Sequence, residues 1–141
     1  MNDNPLVGTW ELVAHEVPRA DPAHRNPLGP RPLGQLIYTA DGYMAVHYMA
    51  GDRPPLESEN WRYATDTERL AAVRTYGGYS GRYTWLGDRV EHHVDASINP
   101  SWIGTTLTRL VDLDGADIVL HVGSGDPGEP PTPVLRWRRR G

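Results

Sequence analysis

Two short segments, one near each end of the chain, constrain its fold more than any other feature. Gly8-Thr9-Trp10 stands near the start, and Leu135-Arg136-Trp137-Arg138 stands near the end. A guanidinium stacked on an indole face contributes about 0.5–2 kcal/mol, and such a pair forms only between neighbouring segments. We therefore expect Arg136 or Arg138 to stack on Trp10. In a chain built of strands, a sheet that closes on itself places its first and last strands side by side.

Eight runs of β-forming residues separated by turn signals agree with a closed sheet. The predicted strands cover residues 10–16, 35–39, 43–49, 79–85, 89–97, 105–113, 118–122 and 134–139. Asp41-Gly42 and Asp114-Gly115 are typical hairpin turns, because glycine adopts the positive φ that these turns need. An open sheet would leave two exposed edges. We predict an all-β fold, a single eight-stranded antiparallel up-and-down barrel that forms one domain over residues 1–141.

Three segments are predicted to lie outside the strands. Thr65 followed by Glu68 is typical of a helix N-terminus, and we expect this short helix to end at Gly77-Gly78. Residues 17–34 hold five prolines and three arginines, and they are expected to form a loop that wraps the barrel. Residues 123–133 are rich in glycine and proline and are expected to form a second loop.

Composition excludes several classes of function. The chain has no cysteine, which excludes disulfides, a thiolate nucleophile and cysteine-based metal sites. A net charge of −4 without a long charged run argues against binding to nucleic acid or to an anionic membrane. The apolar stretches are too short to span a bilayer, and the N-terminus does not read as a signal peptide. We expect a cytoplasmic protein with neither nucleic acid nor membrane as a partner.

The predicted strand over residues 89–97 carries the densest group of polar candidates. Alternation gives one face with Val90, His92, Val94, Ala96 and Ile98 and a second face with Glu91, His93, Asp95 and Ser97. The apolar set favours the first face for the interior. His92 is then either a hydrogen-bonded structural residue or a general base suited to neutral pH. The alternative arrangement places His93 and Asp95 in a polar pocket.

His47 is a second candidate, because either face of its predicted strand can line a cavity. His47 or Tyr48 then donates a hydrogen bond to a ligand carbonyl, and the alternative for His47 is a structural position at the rim. The adjacent His92-His93 point to opposite sides of a strand and cannot chelate one ion. We expect neither a metal nor a cofactor.

Aromatic residues and one arginine complete the candidate site. Arg109 either points outward or anchors a ligand carboxylate or enolate, and Trp102 either plugs one end of the barrel or forms the mouth of its cavity. No phosphate-binding loop or nucleophile elbow is present. The expected catalytic residues are His92, His47 and Tyr83, and the expected ligand contacts are Tyr38, Tyr48, Trp85, Trp102 and Arg109.

Six segments distributed along the chain share a pattern with a known family. They are residues 6–12, 37–44, 79–83, 92–97, 99–106 and 135–138. Together they resemble the lipocalin-like domain family of bacterial and fungal proteins, which is one branch of the calycin-type barrels. The resemblance implies an eight-stranded antiparallel barrel with an internal cavity. Related barrels bind small apolar ligands, and some act as cofactor-independent cyclases or isomerases.

Two functions of different classes follow from the residues and the resemblance. The first is a cofactor-independent cyclase or isomerase of bacterial secondary metabolism, which holds a small apolar metabolite in a reactive conformation. The second is a non-catalytic carrier or sensor of a small hydrophobic ligand. The supply of Tyr, His, Trp and Arg favours the enzyme, since a carrier of fatty ligands is expected to use Phe and aliphatic side chains. We also consider a homodimer through exposed aromatic strand faces.

Overall fold

A computed structural model of the protein describes residues 4–123 and 128–141. Within these residues eight strands form a closed barrel, in which each strand pairs with the next and the last pairs with the first. The strands are β1 (Gly8–Glu16), β2 (Leu33–Tyr38), β3 (Tyr43–Met49), β4 (Tyr76–Trp85), β5 (Arg89–Ser97), β6 (Thr106–Asp114), β7 (Asp117–His121) and β8 (Val134–Arg139). All pairs are antiparallel. The predicted eight-stranded up-and-down barrel is confirmed.

Alternation along the strands places a mainly apolar core inside the barrel. In β3, for example, Met44 and Val46 are buried while Tyr43, Ala45 and His47 are exposed. Every strand contributes to the interior. The core residues of the strands are Trp10, Leu12, Leu36, Tyr38, Met44, Val46, Tyr79, Tyr83, Val90, Val94, Val111, Ile118, Leu120, Leu135 and Trp137.

The predicted stack at the closure of the barrel forms with a different arginine. Trp10 pairs with Arg139 across the β1–β8 ladder, and the Arg139 guanidinium lies 4.2 Å from the centroid of the Trp10 ring. The same guanidinium donates hydrogen bonds to the carbonyls of Pro5 and Val7 at 2.7 and 2.8 Å. The indole Nε1 of Trp10 donates to the carbonyl of Leu6 at 2.9 Å. One end of the barrel is thus fastened to the segment that precedes β1.

Arg136 and Arg138, which were expected to stack on Trp10, instead pair with Asp117 of β7. They donate to its carboxylate at 3.0 and 2.9 Å, and these hydrogen bonds hold the pKa of Asp117 below its ordinary value. The reason is the alternation of β8, because Trp137 faces inward and its two neighbours therefore face outward. The prediction that either arginine stacks on Trp10 is wrong.

The single α-helix of the described residues, α1 (Asp66–Arg74), begins as predicted and ends earlier. Thr65 and Glu68 form a reciprocal capping box at its start. Gly77-Gly78 does not terminate the helix, because both glycines lie in β4. A Cβ on Gly77 would lie 2.6 Å from the hydroxyl of Tyr48, so glycine permits a close approach here. Within the described residues, no helix is long and apolar enough to cross a membrane.

The loop predicted before β2 wraps the barrel and contributes to its core. Leu28 is 6 % exposed and packs against the other core residues, and Val17 is also buried. A short 3-10 helix covers Pro22–His24, and the last two residues of the predicted loop belong to β2. The second predicted loop, over residues 123–133, lies partly outside the described residues.

The alternation along β5 holds through Val94 and then reverses. The ladder between β4 and β5 shifts at Gly81, which pairs with Val94, so that Asp95 has no partner on β4. Because of this extra residue, Ala96 is exposed and Ile98 is 46 % exposed. The prediction that Ala96 and Ile98 face the interior is wrong.

Candidate functional site

A cavity of about 230 Å³ lies inside the barrel, at the end where β3 and β7 finish and β8 begins. Its apolar lining consists of Leu36, Val46, Trp102, Leu120, Val122, Pro133, Leu135 and Trp137. Its polar lining consists of His15, Tyr48, Tyr79, His92 and Arg109. An apolar cavity of about 150 Å³ holds a benzene molecule. The cavity therefore has room for an aromatic ring with short substituents.

His92 lies at the inner end of the cavity between two tyrosines. It projects inward from β5, as predicted, and is 1 % exposed. Its Nε2 lies 2.7 Å from the Tyr38 hydroxyl, and its Nδ1 lies 2.7 Å from the Tyr79 hydroxyl. Burial, assisted by the charge of Arg109, lowers the pKa of His92 to about 3. The imidazole is therefore neutral near pH 7.

The burial of Tyr38 determines how protons are arranged in this cluster. A neutral imidazole has one donor and one acceptor nitrogen. Tyr38 is 1 % exposed, and His92 is the hydrogen-bond partner of its hydroxyl. Tyr38 must donate to Nε2, because otherwise its own proton would be buried without an acceptor. His92 then donates from Nδ1 to Tyr79, whose own hydroxyl proton is available to a molecule in the cavity that Tyr79 lines.

Arg109 projects from β6 into the cavity and supplies the one permanent charge among its described lining residues. Its side chain is half-buried, and no carboxylate lies within ion-pair distance of it in the described residues. Its guanidinium also interacts with the Tyr79 hydroxyl, but burial dominates there and raises the pKa of Tyr79 to about 12. Tyr79 therefore stays a protonated donor at neutral pH.

Two residues that line the cavity each carry a buried polar atom without a hydrogen-bond partner in the described part of the chain. His15 Nδ1 and Trp137 Nε1 are buried, and neither has a hydrogen-bond partner among the described residues. The ring of His15 stacks on Tyr48 at a centroid distance of 6.0 Å, and burial lowers the pKa of His15. An indole N–H can only donate.

Tyr83 and Trp85 lie on the same strand as Tyr79 but outside the cavity lining. The Tyr83 hydroxyl donates to the Thr39 carbonyl at 2.6 Å and accepts from the Asn4 amide at 2.9 Å. Trp85 is partly buried beside a surface groove that Asn4 also lines. Tyr83 pairs with His92 across the β4–β5 ladder, but neither Tyr83 nor Trp85 joins His92 in the cavity lining.

His47 is separated from the cavity as well. Alternation along β3 turns Val46 and Tyr48 inward and His47 outward. On the outer face its Nδ1 lies 3.3 Å from the Tyr76 hydroxyl. Of the residues expected from the sequence, the structure brings His92, Tyr48, Trp102 and Arg109 together and places Tyr38 directly behind His92.

Three polar or aromatic residues of the cavity were not predicted as site residues: Tyr79, His15 and Trp137. Tyr79 shares its strand face with Tyr83 by simple alternation, so a signal for it was present. His15 gave no such signal, because the β1 ladder shifts between Leu12 and Ala14 and turns His15 inward. Within the described residues, no three His, Asp or Glu side chains are placed to hold a metal ion together.

Comparisons with known proteins identify a family model that matches the chain and a protein of similar sequence. A family model described as a lipocalin-like domain matches residues 7–140, a range that includes all eight strands. A protein of Aspergillus oryzae (strain ATCC 42149 / RIB 40) is named 4'-hydroxy-3'-methoxypropiophenone carrier protein ppsC. It is 33 % identical over 109 residues, which cover 68 % of this chain and 96 % of the Aspergillus protein. No solved structure gives a significant match.

Proposed function

Because the chain belongs to the lipocalin-like domain family, we propose that it binds a small, largely apolar molecule inside the barrel and carries it unchanged. The observation that carries this proposal is the interior cavity of about 230 Å³, whose mainly apolar wall includes a few polar groups. Sites for small organic ligands have this composition. The name of the Aspergillus relative describes a carrier, which supports carriage over catalysis.

The cyclase or isomerase favoured by the sequence finds less support. Both ring nitrogens of His92 are engaged by tyrosines, and the Tyr83 hydroxyl is engaged by a backbone carbonyl. His47 lies on the outer face. A general base must come within hydrogen-bond reach of the proton that it removes. These three residues therefore offer no free acid or base group to a molecule in the cavity, and this geometry supports a carrier.

The walls of the cavity suit a flat aromatic ligand. Trp102 meets Tyr79 edge to face at a centroid distance of 5.7 Å, and Tyr48 stacks on His15. Flat rings pack well against such aromatic walls. We propose that the ligand is a single aromatic ring with short substituents, similar in size to the propiophenone named for the relative.

Titration with propiophenone, a neutral aryl ketone, tests the proposal. Binding is followed by calorimetry and by the fluorescence of Trp102 and Trp137, which line the cavity. We expect saturable binding of one molecule per chain, followed by recovery of unchanged ketone in mass spectrometry. Conversion of the ketone into a product would contradict carriage.

A pair of variants tests where the ketone binds. Val122→Trp fills the rim of the cavity and is expected to weaken binding at least about tenfold, which corresponds to roughly 1.4 kcal/mol. Val73→Trp is the matched control, because Val73 is 52 % exposed on α1 and outside the cavity. Equal affinity of both variants and the unaltered protein would place the ketone elsewhere and refute the proposed site.

A further inference from the structure

We propose that the cavity selects organic anions, namely small aromatic molecules that bear a carboxylate or an ionised phenol, and that Arg109 and Tyr79 hold the acidic oxygen. The inference rests on the proposed function, since it names the chemical class of the molecule bound at the same site. It is argued from the positive charge of the cavity, from its hydrogen-bond donors and from the positions of Tyr79, His92 and Arg109 on neighbouring strands.

The charge of the cavity is positive. Of the thirteen described residues that line it none is Asp or Glu, and Arg109 is the one permanent cation among them. The buried His92 is neutral near pH 7, and so is His15, since burial lowers the pKa of each. A guanidinium remains charged at any physiological pH. An anionic ligand supplies the missing counter-charge, in surroundings where water screens the attraction less than at the surface.

The groups that would hold and orient the acidic oxygen of the ligand lie on three consecutive strands. Tyr79 lies on β4, His92 on β5 and Arg109 on β6. Since Tyr79 accepts a hydrogen bond from His92, its own proton is available to a ligand oxygen beside the Arg109 guanidinium. Tyr38 and His92 do not touch the ligand in this arrangement. They are positioning residues that set the direction in which the Tyr79 hydroxyl donates.

A carboxylate matches this set of donors better than a neutral carbonyl does. It offers two oxygens with several lone pairs and forms charge-assisted, often bidentate hydrogen bonds with arginine. The Tyr79 hydroxyl is a second donor in the same cavity. A neutral ketone satisfies one donor and leaves the charge of Arg109 unpaired. A cationic ligand would be repelled.

Two probes of equal size test the inference: 3-phenylpropanoate and its uncharged amide, 3-phenylpropanamide. Calorimetry at pH 7 is expected to show that the anion binds about ten- to a hundredfold more tightly than the amide. Arg109→Gln is expected to abolish this preference, because it removes the charge that distinguishes the anion from the amide. Arg82→Gln is the matched control, because Arg82 is exposed on the outer face of β4 and its loss changes the net charge equally.

A second measurement needs no variant. Raising the salt concentration is expected to weaken binding of 3-phenylpropanoate to the unaltered protein and to leave binding of the amide unchanged. If amide, propiophenone and anion bind equally well, the anion preference is overturned and carriage of an apolar molecule stands. If none of the three binds, the proposed function fails together with the inference. If Arg82→Gln removes the preference as fully as Arg109→Gln does, the site assignment is overturned.

Discussion

Acidification from pH 7 to pH 5 is expected to destabilise the barrel through His92. Burial lowers the pKa of this imidazole from 6.5 to about 3 in the folded protein. Below pH 6.5 the unfolded chain therefore binds a proton that the folded chain does not bind. The free energy of unfolding is therefore not reduced by His92 above pH 6.5. Below pH 6.5 it falls by about 1.4 kcal/mol per pH unit, and this fall levels off below pH 3. Between pH 7 and pH 5 the expected loss from His92 is about 2 kcal/mol.

Urea denaturation at pH 7, 6 and 5, followed by tryptophan fluorescence, measures this loss as a change in the free energy of unfolding. His92→Gln keeps a hydrogen-bonding side chain that does not titrate, so its stability is expected to depend much less on pH. A smaller dependence remains, because burial also lowers the pKa of His15. His93→Gln is the control, since His93 faces outward between two threonines. If His92→Gln loses as much stability between pH 7 and pH 5 as the unaltered protein, the assignment is refuted.

Three further substitutions test close packing and closure. Gly81→Ala is expected to lower the free energy of unfolding, measured by urea denaturation, by at least about 1–3 kcal/mol. The added Cβ overlaps a backbone carbonyl of β5, which cannot move independently of its strand. In Gly77→Ala the added Cβ meets the ring of Tyr48, a side chain that can rotate. We therefore expect a smaller loss of stability than in Gly81→Ala, together with weaker binding of propiophenone. Equal losses of stability for the two glycine variants would contradict this reasoning. Arg139→Gln removes the stack on Trp10 and the hydrogen bonds to the carbonyls of Pro5 and Val7. Thermal denaturation is expected to show a loss of stability of about 0.5–1 kcal/mol from the stack and a further loss from the hydrogen bonds, with ligand affinity unchanged.

The sequence was sufficient to predict the barrel because its signals are local and repeated. Turns such as Asp41-Gly42 punctuate runs of alternating side chains, and each run became a strand within a few residues of its expected bounds. The closing stack was predicted with the wrong arginine for a simple reason. Trp10 faces inward, so its partner must share the inward face of β8 with Trp137, and Arg139 does so while Arg138 does not.

The site was predictable only where alternation continued without interruption. His92 and Arg109 follow the pattern of their strands and lie in the cavity. The shift in β1 that turns His15 inward leaves no mark in the residue types around it, because one extra residue reverses the alternation without changing composition. Tyr79 was missed although it lay in a predicted strand and shares a strand face with Tyr83. The glycines before it were interpreted as the end of a helix, whereas they lie in β4 beneath the ring of Tyr48.

The pairing of β1 with β8 also has a consequence for how the barrel folds. Trp10 and Arg139, which pair across this ladder, are 129 positions apart (139 − 10). Contacts between such distant parts of a chain form slowly, because a long loop must close before they contribute stability. Until β8 docks, β1 and β7 each have an unpaired edge that another chain can extend. The ladder that removes both edges from the native barrel therefore also defines the interval in which the folding chain is most exposed to aggregation.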